Sequence, residues 1–141
     1  MATRADFTED EWKHLHQGVS GAGMLVSLAD RDFSDSFGEA TALAKFLAGQ
    51  AAAGATPLMR EIAGVHTTGF GLVASPAAVH DETMAALSSS VATLTAKAPD
   101  EVEPYRKLVL DAAEVVAEAK GGVKPAEAAA IAAIKDALGE G

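Results

Sequence analysis

Apolar side chains recur along this chain at steps of three and four, the signature of helices with one buried face. Trp12, Leu15, Val19, Ala22, Val26 and Ala29 form the first such stripe, and it passes unbroken through Gly18, Gly21 and Gly23. A glycine inside a helix costs about 0.5–1 kcal/mol relative to alanine, so three together predict either a break or a close helix crossing. The unbroken stripe favours the crossing. Thr8 and Glu11 have capping-box spacing, with Phe7 and Trp12 at the staple positions, which places the helix start near residue 9. Ser36 and Glu39 repeat the capping pattern ahead of Phe37, Ala40, Leu43, Phe46 and Leu47, a second helix ending between Gly49 and Gly54. Thr56–Pro57 and Ser75–Pro76 are N-cap and first-turn proline pairs. The first opens a third helix along Leu58, Ile62, Val65, Gly69 and Leu72, with a loop at TTGFG as the alternative. The second opens a fourth, carrying Val79, Thr83, Ala86 or Leu87, Ser90 or Val91, and Leu94 to about Lys97. APDEVEP interrupts the pattern. A fifth helix follows with Tyr105, Leu108, Ala112, Val116 and Ala119 inward, its start loaded with Asp100, Glu101 and Glu103, where the helix dipole favours negative charge. Gly121 and Gly122 stop it, and Lys124–Pro125 begins a sixth. No period-two strand pattern occurs. The expectation is an all-α single domain, residues 1–141, of about six orthogonal or bundled helices.

Two of these stretches read as copies of one helix-loop-helix unit. VSLADRDFSDSFGEATALAKFLAG starts at Val26 and VAEAKGGVKPAEAAAIAAIKDALG starts at Val116. Val26 matches Val116, Ala29 matches Ala119 and Phe33 matches Val123. After a two-residue insertion, Glu39, Leu43 and Phe46 match Glu127, Ile131 and Ile134. Spacing of this kind points to duplication of a packing unit.

The unit is a helix ending near Ala-Asp-Gly, a short link, then a capped helix opening with Glu, and in this it resembles the tellurite-resistance TerB-like family. The resemblance covers roughly residues 12–48 and 105–139, with 113–139 the better match. It implies an all-helical fold and an acidic, metal-binding patch near the inter-helix links. Carried over by position, the ligands it implies are Asp30 and Glu39 from the first copy and Glu127 from the second. Arg31 stands where the first copy should have Gly, and Lys120 where the second should have Asp, which sets a positive charge at the expected cation site.

Composition narrows the chemistry. Twenty acidic residues against eleven basic give a formal charge of −9, and no Lys/Arg stripe occurs, so nucleic acid is not an expected partner. Such a surface suits cations or a basic protein partner; a homo-oligomer is expected only through a small-residue helix face. Without cysteine there are no disulfides, thiolate nucleophiles or thiolate metal sites. Seven aromatic residues leave Ala, Leu and Val to fill the core, and small side chains let helices approach closely. The start MATRADFTEDEW is not a signal peptide, and the uncharged run at 62–80 holds too many polar residues for a membrane span; a cytoplasmic protein is expected.

Asp30, Asp32, Asp35 and Glu39 form the densest acidic link, with oxygen ligands suited to calcium or magnesium. It is not an EF-hand loop: counted from Asp30, Asp35 falls where Gly is required and Thr41 where the bidentate Glu belongs. The plainer account is that Asp35 or Ser36 caps the following helix and the others are solvated. Glu11 and His14 spell Glu-x-x-His, but no second such motif exists for a di-iron centre. His14 and His16 point to different helix faces; His66 and His80 flank the most apolar segment. Gly69, Gly71 and Ala74 imitate a dinucleotide motif without a preceding strand, and Ser88, Ser89 and Ser90 read as packing and surface residues. No nucleophile–base pair is present, so the chain is expected not to be an enzyme. The expectation is therefore a TerB-like stress-response or interaction module with a cation site at Asp30, Asp32, Glu39 and Glu127. The alternative is a structural or oligomerising protein that packs, or binds an apolar ligand, through a Gly/Ala face around Gly18, Ala22, Gly69 and Phe70.

Overall fold

The computed structural model describes residues 3–29, 36–64, 75–119 and 125–139, with backbone alone at 28, 29, 36–41, 76 and 126. A 3-10 turn at Arg4–Asp6 leads into six α-helices: α1 (Glu9–Ala29), α2 (Ser36–Ala53), α3 (Pro57–Ala63), α4 (Pro76–Lys97), α5 (Val102–Ala119) and α6 (Pro125–Ala137). A second 3-10 turn, Pro99–Glu101, joins α4 to α5. No strand occurs among the described residues, so the fold is all-α, as the periodicity predicts.

Local chemistry sets the helix boundaries. The Thr8 amide donates to Glu11 Oε1 at 2.8 Å and the Glu11 amide to Thr8 Oγ1 at 3.1 Å, closing the expected capping box at the start of α1. Thr56 Oγ1 accepts from the Met59 amide, and Ser75 Oγ from the Ala78 amide, each ahead of a proline in the first turn. α2 starts at Ser36 itself and runs through Gly49 to Ala53. α3 closes at Ala63 with Gly64 as its cap. The expected continuation through Val65, Gly69 and Leu72 lies outside the described residues.

α1 is the axis of the molecule. Residues 15–23 are buried without interruption, all round the helix, although His16, Gln17, Gly18, Ser20 and Gly21 among them are polar or small. Every other helix touches α1, with α4 and α5 covering most of it. The glycines make that approach possible. A Cβ at Gly18 would overlap the Tyr105 hydroxyl and lie 3.0 Å from Leu87 Cδ2. One at Gly21 would overlap Thr83 Oγ1 and lie 3.0 Å from Thr83 Cβ. One at Gly23 would lie 2.7 Å from Leu43 Cδ2 on α2. The predicted crossing is therefore real, and it involves three partner helices. Tyr105 is fully buried in it and donates its hydroxyl hydrogen to the Leu15 carbonyl at 2.7 Å, which satisfies the phenol without water. Burial pushes its ionisation far above the ordinary phenol range.

Side-chain contacts fix the helix directions. Glu11 meets Lys97, Gly18 meets Leu87 and Gly21 meets Thr83, so α4 runs opposite to α1. Arg106, near the start of α5, donates to the Leu138 carbonyl just past α6, so α6 runs opposite to α5. Thr56 donates to Glu101 Oε2 at 2.7 Å, which joins the α2–α3 corner to the start of α5. One end of the bundle thus gathers the start of α1, the α2–α3 corner, the α4–α5 corner and the end of α6. The other end holds Ala29, Ser36, Ser75, Ala119 and Pro125, where α1 and α5 finish and α2, α4 and α6 begin. α2 packs chiefly on α5, and α6 chiefly on α1.

One expected inward position differs. Ala119, the last residue of α5, is exposed. Glu101, one of the acids that load the start of α5, is buried and accepts from Thr56.

The crossing makes opposite predictions for two glycines. Gly21→Ala should destabilise the fold by about 1–3 kcal/mol, since overpacking exceeds the gain in helix propensity. Gly49→Ala, with nothing within 4 Å of its new Cβ, should stabilise by up to about 1 kcal/mol. Urea unfolding of both variants, followed by far-UV circular dichroism, measures the pair; equal and opposite-signed results to these would mean that α1 is not tightly enclosed.

Candidate functional site

Glu127 lies in the first turn of α6, at the end where α1 and α5 finish. Its exposure is 0 %, and among the described residues neither carboxylate oxygen has a hydrogen-bond partner. This is costly in physical terms. Burying an unpaired charge costs far more than burying a hydroxyl, so a buried carboxylate needs a proton, a counter-ion or several donors. The α6 dipole offers a partial positive charge at that turn but no second full charge. A carboxylate with both oxygens available is the chemistry of a ligand to a hard cation.

Of the other sequence candidates, Glu39 alone has a described backbone. Glu39 is in the first turn of α2, which begins at the same end of the bundle; its backbone is described and its side chain lies outside the described set. Asp30 and Asp32 fall between Ala29 and Ser36 and lie outside the described residues, as does Lys120. The helix directions therefore bring Glu39 and Glu127 to one end of the molecule, about 16 Å along α6 from its opposite end at Leu138. Among the described residues, no three His, Asp or Glu side chains group closely enough to hold a metal ion. Glu127 is the described member of the set.

Of the Gly/Ala face suggested for oligomerisation or an apolar ligand, the described half is buried within the chain. Gly18 lies against Leu87 of α4 and Tyr105 of α5, Ala22 is buried, and Gly69 and Phe70 lie outside the described residues. Glu11, the acid of the Glu-x-x-His pattern, is held by its capping box and by Lys97 Nζ at 2.6 Å, which keep its carboxyl below the ordinary range. His80 is exposed and faces Asp81 at 3.3 Å. Ser90 is buried while Ser88 is exposed, the mixed packing and surface use expected of that run.

One residue escaped the sequence reading. His16 is 8 % exposed, its Nδ1 has no partner, and burial, with Lys13 and Arg4 nearby, lowers its affinity for a proton. The apolar stripe alone assigns His16 to a flank of α1. The signal was in the glycines, which fall on more than one side of that stripe and so require neighbours all round.

Scans against protein-family models, curated proteins and solved structures find no match to this chain. Residue chemistry alone therefore carries the reading of the site.

An orphaned carboxylate makes a direct prediction. Glu127→Leu should raise the stability of the chelator-treated protein by about 1–3 kcal/mol, because it removes a buried polar group without partners. Denaturant unfolding measures this; a loss of stability of the same size would mean that the carboxylate is already satisfied.

Proposed function

We propose that this chain is a TerB-like helical module without catalytic activity, acting in stress response or as an interaction domain, and that it takes up a divalent cation through Glu127. The observation that carries the cation clause is the fully buried Glu127 carboxylate with two unpartnered oxygens. The start of α2 at the same end supports Glu39 as a second ligand, and the sequence supplies Asp30 and Asp32 in the adjoining link. All-oxygen donors favour calcium or magnesium over softer metals. Calcium tolerates irregular geometry at a site assembled from separate helices, whereas magnesium demands a strict octahedron and retains its water. Calcium is the better fit.

Lys120 is the competing counter-ion in this reading, since it stands where the TerB-like pattern has Asp. Its ammonium would neutralise Glu127 at the cost of cation affinity. The net charge of −9 supports the interaction clause, because such an exterior favours a basic protein over nucleic acid or an acidic surface. Among the described residues, no helix is long and apolar enough to cross a membrane.

Calorimetric titration and thermal unfolding with calcium, magnesium and zinc test the proposal. Wild type should bind calcium and gain about 2.7 kcal/mol at a hundredfold excess over the dissociation constant. Glu127→Gln should lose that gain, and Lys120→Gln should tighten binding. Identical unfolding curves with chelator and with saturating calcium would remove the cation clause.

A further inference from the structure

We propose that a groove at the start of α1 binds a small organic monocarboxylate, with Arg4 holding the carboxylate and Phe7 and Trp12 forming the apolar floor. The groove has a volume of about 440 Å³ and is lined by Arg4, Ala5, Phe7, Thr8, Glu9 and Trp12. That size falls in the range of small-molecule sites. It lies at the end of the bundle where α1 begins, whereas Glu127 lies where α1 finishes, so the two sites are independent.

Arg4 supplies the reason for a carboxylate. Its guanidinium lies over the Trp12 ring, 5.5 Å from the centroid, and a stacked guanidinium keeps an edge of N–H donors that matches the two oxygens of a carboxylate. That edge is unused within the described chain. The ion pairs among the described residues are His80–Asp81, Lys97–Glu11, Arg106–Glu103 and Lys107–Asp111, and Arg4 is in none of them. The carboxylates close in the fold are held by other donors: Asp6 by the Thr3 amide at 2.8 Å, Glu11 by the Thr8 amide and Lys97, and Glu61 by the Arg4 backbone amide at 3.3 Å. In a chain of twenty acidic against eleven basic residues, a cation left over in this way is a place where an external anion can bind.

The groove is formed before any ligand arrives. The Phe7 amide donates to the Arg4 carbonyl at 3.1 Å, and Lys97 Nζ donates to the Asp6 carbonyl at 3.1 Å, which together fix the backbone beneath Arg4. Little ordering is therefore needed on binding. Phe7 and Trp12 are anchored in the core, with 9 % and 8 % exposure, and the part of each that faces the groove gives an apolar ligand body a rigid seat. Glu9 narrows the ligand class. Its charge on the groove wall repels a second anionic group, so a monocarboxylate is favoured over a dicarboxylate or a phosphate dianion.

Trp12 is the only tryptophan, so its emission reports this groove without a label. Phenylacetate, titrated at about pH 7.5 where it is fully ionised, should change that emission saturably with a Kd in the millimolar range, and neutral phenylacetamide should not. Backbone amide NMR shifts of residues 4–12 should move with the same midpoint. Arg4→Gln should weaken phenylacetate about tenfold or more, and Glu9→Gln should tighten it about two- to threefold. No saturable change in either readout, equal binding of phenylacetamide, or wild-type affinity in Arg4→Gln would overturn the site. Should Arg4→Gln lose helicity by circular dichroism, Arg4→Lys decides instead, since it keeps the charge without the planar fork. Weakened binding by that folded variant supports the site, and wild-type affinity refutes it.

Discussion

Everything in this fold depends on enclosing α1. A helix buried on all sides needs small side chains wherever a neighbour crosses, and Gly18, Gly21 and Gly23 supply them toward α5, α4 and α2. Their cost in helix propensity is offset by close packing, which brings Leu87, Thr83 and Leu43 onto the α1 backbone. Tyr105 shows the accuracy that this demands. Its ring fills the space beside Gly18 only because its hydroxyl reaches a carbonyl of the same helix. With only seven aromatic residues, the core relies on such contacts between small and medium side chains rather than on large rings.

A central helix also explains where charge can be placed. At the end where α1 begins, carboxylates have partners: Glu11 pairs with Lys97 and Glu103 with Arg106, and Glu101 accepts a hydrogen bond from the Thr56 hydroxyl. These contacts tie the chain's corners together. Glu127, toward the other end, has no such partner despite complete burial. Glu127 is the one carboxylate among the buried side chains without partners in the described residues; the others are His16, Thr83 and Ser90.

The helix starts were legible in the sequence because they follow from short-range chemistry. Thr8 with Glu11, Thr56 with Pro57, and Ser75 with Pro76 each place a boundary within a few residues, with no information from distant parts of the chain. The inward positions Val79, Thr83, Leu94, Leu108 and Val116 were legible for the same reason. Burial of His16 and Glu101 was not, since it depends on which helices lie beside them, and a 3.6-residue period identifies one apolar face rather than the number of neighbours. Glu127 was legible as a candidate through its match to Glu39. Its isolation from donors was not, because a hydrogen-bond partner can come from any part of the chain.

Native-state amide hydrogen exchange measures the enclosure of α1 most directly. The amides of residues 15–23 should exchange only through global unfolding, as slowly as those of Leu108 to Val116 in the middle of α5. Exchange of residues 15–23 by local opening, at rates well above those of α5, would contradict the account: α1 would then be one helix at the edge of a bundle rather than its axis.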